Sequence, residues 1–194
     1  MGYGSVGGWD AFGPERLVTK AQGNVLFELD GKPALELYKR YLGDHAAALP
    51  ASALLFPLSL RAPGSSQAVV RTILGVDERE GFMTFAGDLP MGSSVRLMRS
   101  NFDRLIDGAT EAAKTGLRGL GDDEPGLAIL VSCVGRKLML KQRIEEEVES
   151  VQEVLGPGAL LCGFYSYGEI APFVSDSRCE LHNQTMSLTL LSER

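Results

Sequence analysis

A chain of 194 residues, 44% hydrophobic and 23% charged, carries enough apolar side chains to bury a sizeable core within one domain. Its formal net charge of -6 and pI near 5.0, with Lys and Arg scattered along the chain, leave no basic surface for phosphates and exclude nucleic acid as a partner. No apolar run approaches the roughly eighteen residues of a membrane span, and no basic segment followed by an apolar one opens the chain, so membrane is excluded and the expected location is cytoplasmic.

Residues 1–13 are glycine-rich and aperiodic, which predicts a flexible lead-in, with one domain over 14–194. Short apolar runs at 17–21 and 24–29, parted by Gln22-Gly23 and stopped by Asp30-Gly31, predict two hairpin strands. Pro33 suits a first helical turn, and Leu35, Tyr38 and Leu42 recur at helical spacing until Gly43. Strand-length segments follow at 53–60, 68–76, 81–86 and 93–98, parted by Pro63-Gly64, by 77–80 and by Pro90-Met91-Gly92. Ser100 and Asp103 form a helix-start pair before an apolar stripe from Phe102 to Leu117. A Gly, Asp and Pro loop at 119–126 leads into the apolar run 127–134, expected to be a central strand covered on both faces.

The longest helix is expected over 138–155. Leu140, Ile144, Val148, Val151 and Leu155 lie on its apolar side, and Glu145, Glu146, Glu149 and Glu153 form a solvated face. Strands at 160–167 and 179–191 close the chain, joined by a loop with Pro172, Ser175 and Asp176. Hairpins outnumber strand-helix-strand alternation. The fold class is therefore α+β: mixed, largely antiparallel sheets covered by helices, with a long amphipathic helix near 138–155.

Cys133, Cys162 and Cys179, an odd number at wide spacing, suit free thiols, and His45 and His182 are too few for a multi-histidine metal site. The candidate chemistry lies late in the chain. Regular alternation over 179–191 would put His182 and Gln184 on the face of Met186 and Leu188, at the polar mouth of a pocket, with Asn183 on the other face. Tyr165, Tyr167 and Glu169 share a parity and would line the same pocket if the strands are neighbours; the alternative is a satisfied polar network tying strands together. Ser132-Cys133-Val134-Gly135-Arg136 spans a strand-to-helix junction where free amides, a glycine and the Arg136 fork suit a carboxylate. The alternatives there are a solvent-facing Arg136 and a buried, inert Cys133.

Several blocks together resemble the C-terminal FIST domain: Gln22-Gly23-Asn24, Glu28-Leu29-Asp30-Gly31-Lys32-Pro33-Ala34, Ser132 to Arg136, Gly163-Phe164-Tyr165-Ser166-Tyr167-Gly168-Glu169-Ile170, and Cys179-Glu180-Leu181-His182-Asn183-Gln184-Thr185. They run in order over nearly the whole chain. The resemblance implies a sensory module of signal transduction that binds a small ligand such as an amino acid or related carboxylate, without cofactor and without catalysis of its own. It implies as partners an N-terminal FIST half, absent from this chain, or a downstream signalling protein, and self-association of the isolated half. The expected ligand-binding residues are Arg136, Cys133, Tyr165, Tyr167, Glu169, His182, Asn183 and Gln184, with Arg136 on a carboxylate and Glu169 on an ammonium. Two alternatives follow from the same resemblance: a haem-based nitric-oxide sensor with His182 as axial ligand, and a protein-interaction module like the F-box relatives.

Overall fold

The structure, a computed structural model, describes residues 1–172 and 179–193. Along the chain run strands β1 (Gly2–Val6), β2 (Asp10–Gln22), β3 (Val25–Leu29) and β4 (Lys32–Pro33), then helix α1 (Ala34–Leu42). Strands β5 (Leu58–Arg61), β6 (Val69–Arg71), β7 (Ile73–Asp77), β8 (Phe82–Phe85) and β9 (Ser94–Arg99) lead to helix α2 (Phe102–Leu120). Then come β10 (Leu127–Cys133), α3 (Val134–Leu140), α4 (Ile144–Leu155), β11 (Leu160–Ser166), β12 (Glu169–Pro172), β13 (Cys179–His182) and β14 (Met186–Leu191). The class is α+β, as the sequence predicts.

The chain divides into two compact units, one of residues 10–99 and one of residues 1–9 with 100–194. The first is a curled, wholly antiparallel sheet in the order β6-β5-β9-β2-β3-β8-β7, with β4 added to β3. The long strand β2 pairs β9 through its first half and β3 through its second, with irregular register between Phe12 and Arg16. The inward-facing Val18, Leu26, Leu58, Met83 and Phe85 pack with Leu35 and Tyr38 of α1 into one core. Gly43, at a φ of 54°, ends α1 where the helical spacing stops. Part of the expected strand at 53–60 is instead a 3-10 turn, Ala51–Leu55, and 68–76 is two strands rather than one.

The second unit holds a four-stranded sheet ordered β1-β14-β10-β11 and a separate hairpin, β12-β13. β10 and β11 are parallel because α3 and α4 carry the chain back between them, whereas β1-β14 and β14-β10 are antiparallel. Ala128, Leu130, Met186, Leu188 and Leu190 face the helices and form a core with Ala109, Ala112, Ala113 and Val151. A smaller cluster joins Leu105, Met139 and Leu140 to Trp9 and Ile144.

Four expectations are corrected here. The supposed lead-in contains β1, whose glycines serve close packing rather than freedom: a Cβ at Gly2 would overlap the Gly116 carbonyl, and one at Gly4 the Ala112 carbonyl. Only glycine lets this strand lie on a helix whose buried stripe is Leu105, Gly108, Ala112 and Gly116. The helix over 138–155 is broken at Lys141, which sits at a φ of 53°, so α2 is the longest helix; its N-cap is Asn101, whose side chain accepts from the Arg104 amide at 2.8 Å, and not Ser100. Residues 179–191 are two strands in different sheets, because Gln184 at a φ of 58° breaks the alternation. Of the expected loop around Pro172, Ser175 and Asp176, Pro172 ends β12, and the other two lie outside the described residues.

Candidate functional site

Helices cover one face of the four-stranded sheet, and the opposite face carries the alternate side chains Ile129 and Val131 of β10, Phe164 and Ser166 of β11, and Ser187 and Thr189 of β14. These line a cavity of about 610 Å³ with Tyr3 of β1, and Glu169, Ile170, Ala171 and Pro172 of β12. β10 is therefore half-buried on this face, not covered on both sides as its apolar run suggests.

Glu169 is the charged side chain of that lining, only 2% exposed. Its Oε1 accepts from the Ser166 hydroxyl at 2.6 Å, and its Oε2 from the Thr185 hydroxyl at 2.9 Å and the Thr185 amide at 3.3 Å. Burial pushes the Glu169 carboxyl above the usual range, against the lowering effect of these donors. Burial, and then the Glu169 charge, push the Cys133 thiol up as well, the opposite of a thiol activated at a helix terminus.

A pH prediction follows from Glu169. The folded state holds its proton to higher pH than the unfolded chain, so the associated stability is complete below the unfolded carboxyl pKa and is lost as pH rises through the folded one. Urea denaturation between about pH 4 and pH 8 should show the stability of the wild type relative to Glu169→Gln falling with pH and then levelling. A difference that rises with pH would show that burial does not raise this carboxyl.

Behind the sheet, on the helix side, Arg136 and Glu147 are wholly buried and paired at 2.6 Å through Nε and Oε1. The Arg136 fork also donates to the Gly7 carbonyl at 2.6 Å, the Leu105 carbonyl at 2.7 Å and, more weakly, the Gln184 carbonyl at 3.5 Å. Glu147 accepts further from the Ser132 and Tyr165 hydroxyls at 3.1 and 3.3 Å.

Residues 34–172 match the FIST C domain, and residues 1–32 match the FIST N domain, so a stretch of the N-terminal half expected to be absent is represented in this chain. The chain belongs to the FIST family. FIST domains are sensory domains of signal transduction. The chain is 28% identical over 184 residues to uncharacterized protein Mb0898c of Mycobacterium bovis, covering 90% of this chain and 46% of that protein. It is 26% identical over 188 residues to uncharacterized protein Rv0628c of Mycobacterium tuberculosis, covering 92% of this chain and 47% of that one. It thus spans about half the length of these relatives. No solved structure matches it.

The residues singled out by the FIST resemblance do not converge on one pocket. Glu169 lines the large cavity, and Tyr165 a smaller one behind the sheet. Arg136, expected to clamp a ligand's carboxylate, holds that of Glu147 instead, because it sits inside the core rather than at its edge. Tyr167 is 89% exposed at the turn between β11 and β12, so its shared parity with Tyr165 and Glu169 does not hold.

Cys133, His182, Asn183 and Gln184 line neither cavity and serve the polar framework. The Cys133 amide donates to the Thr185 carbonyl at 3.0 Å, and the Asn183 side chain to the His182 carbonyl at 3.1 Å. The Gln184 carbonyl accepts from the Trp9 ring at 3.1 Å, and its side chain packs on Gly135. His182 does not fit an axial haem ligand: its ring is buried, and Nε2 lies 2.9 Å from the Ala171 carbonyl. Among the described residues no cluster of His, Cys, Asp or Glu could hold a metal ion, and no helix is long and apolar enough to cross a membrane.

Tyr3, Ser187 and Thr189 carried no signal in sequence, because a cavity wall on a sheet face requires the strand order. Glu147 did carry one. It stands three residues after Ile144 and four before Val151, on the apolar stripe, whereas Val148 is exposed.

Proposed function

We propose that this chain is the ligand-holding part of a sensory signal-transduction domain, and that the large cavity receives a small amine-bearing ligand, an amino acid or a related molecule. The observation that carries this reading is Glu169, a buried carboxyl in the wall of a cavity of about 610 Å³ that otherwise presents apolar side chains and hydroxyls. An apolar enclosure with a few fixed polar groups is the usual form of a metabolite site. An ammonium placed at Glu169 would supply the opposite charge that this carboxyl lacks, while the hydroxyls of Ser166, Ser187 and Thr189 suit the polar remainder of the ligand, a carboxylate included. Arg136 has no part in this site.

The test is a thermal-shift and calorimetric titration of the chain with amino acids, simple amines and carboxylates that lack an amine. At a hundredfold the Kd, an amine-bearing ligand should add about 2.7 kcal/mol of stability. Glu169→Gln should weaken its binding at least tenfold, as expected for loss of a charge-assisted bond of about 1.4 kcal/mol or more. Saturation by carboxylates alone, or unchanged amine binding in Glu169→Gln, would remove this reading.

A further inference from the structure

A second cavity, of about 230 Å³, lies on the helix side of the same sheet, between α4 and the edge strand β11. Leu130 and Met186 of the sheet and Val148 of α4 give it apolar walls, while Ser132, Glu147 and Tyr165 converge at its polar end. Glu147 is held unequally. Its Oε1 takes the short bond from Arg136, at 2.6 Å, whereas its Oε2 receives only the Ser132 and Tyr165 hydroxyls, at 3.1 and 3.3 Å. Hydroxyl donors ordinarily approach to about 2.7–2.8 Å, so Oε2 retains acceptor capacity among three groups that all line the cavity.

We propose that this cavity is a separate binding site for a small, neutral, largely apolar molecule carrying one N–H or O–H donor, which it would give to Glu147 Oε2. Size sets the scale: an enclosed apolar cavity of about 150 Å³ accommodates benzene, and about 230 Å³ suits a molecule near the size of indole. Charge sets the class. Arg136 already neutralises Glu147 within the core, and a second cation would be buried without a partner. A neutral donor adds a hydrogen bond without that penalty, which separates this ligand from the amine assigned to Glu169.

Indole and benzofuran, the same bicycle with a ring oxygen in place of the N–H, test the proposal by calorimetry or chemical-shift titration of the chain. Indole should bind saturably with one equivalent and at least tenfold more tightly than benzofuran. Val148→Trp, at a wall position 41% exposed and therefore tolerant of substitution, should abolish indole binding without lowering the melting temperature. The amine titration at Glu169 should be unaffected in that variant, so the two sites fail or succeed separately. Absence of saturation by indole, equal affinity for benzofuran, or undiminished indole binding in Val148→Trp would each overturn it.

Discussion

Arg136→Ala is expected to destabilise the fold by about 3–5 kcal/mol, the cost of leaving a buried charge without its partner. The residue removed is wholly buried, and its loss strands Glu147, equally buried, with only the long contacts of the Ser132 and Tyr165 hydroxyls. It also deprives the Gly7 and Leu105 carbonyls of their 2.6 and 2.7 Å donors. Against a total stability of about 5–15 kcal/mol, the variant should remain folded at low temperature with a much reduced urea midpoint. Replacing both partners, as Arg136→Met with Glu147→Leu, should recover much of the loss, because a well-packed apolar pair avoids the desolvation of two ions. If the double substitution is as damaging as the sum of the singles, the pair is not acting as an isolated ion pair, and the backbone contacts of Arg136 dominate.

Gly4→Val is the second large effect. The added Cβ would occupy the position of the Ala112 carbonyl on α2, and neither the strand nor the helix backbone can give way by that distance. Overpacking of this kind costs about 1–3 kcal/mol where side chains can adjust, and more where backbone must move. Because β1 is an edge strand paired with β14 alone among the described strands, the expected outcome is its release from the sheet, read as fast amide exchange in residues 2–6 and weakened protection along β14. Tyr3→Val, one residue earlier on the opposite face, removes part of the large cavity's wall and should leave that protection intact. Equal loss of protection in both variants would contradict the close strand-helix packing.

How far the sequence reveals this molecule depends on the range of the interaction concerned. The α+β class, α1 with its Gly43 stop and the apolar face of α2 were legible because propensity, periodicity and capping act over three or four residues. One position of the later helix was read wrongly: Val148 was placed on the apolar side, whereas Glu147 takes the buried place between Ile144 and Val151 and Val148 is exposed. The family was legible from the order of its short blocks.

Tertiary structure alone decided the rest, for one physical reason: a residue's environment depends on elements distant in sequence. The N-terminal glycines looked flexible because conformational freedom and steric permission leave the same letters; only the approach of α2 shows that they are there for space. Alternation over 179–191 failed at Gln184, whose left-handed backbone sends His182 into one hairpin and Met186 into another sheet. Arg136 and Glu169 looked like a matched pair of ligand clamps, but the strand order β1-β14-β10-β11 puts one in the core behind the sheet and the other in a cavity wall in front of it. The sequence determined by itself which groups carry charge and which helices form, while packing across the sheet decided which charge is spent on the core and which lines a cavity.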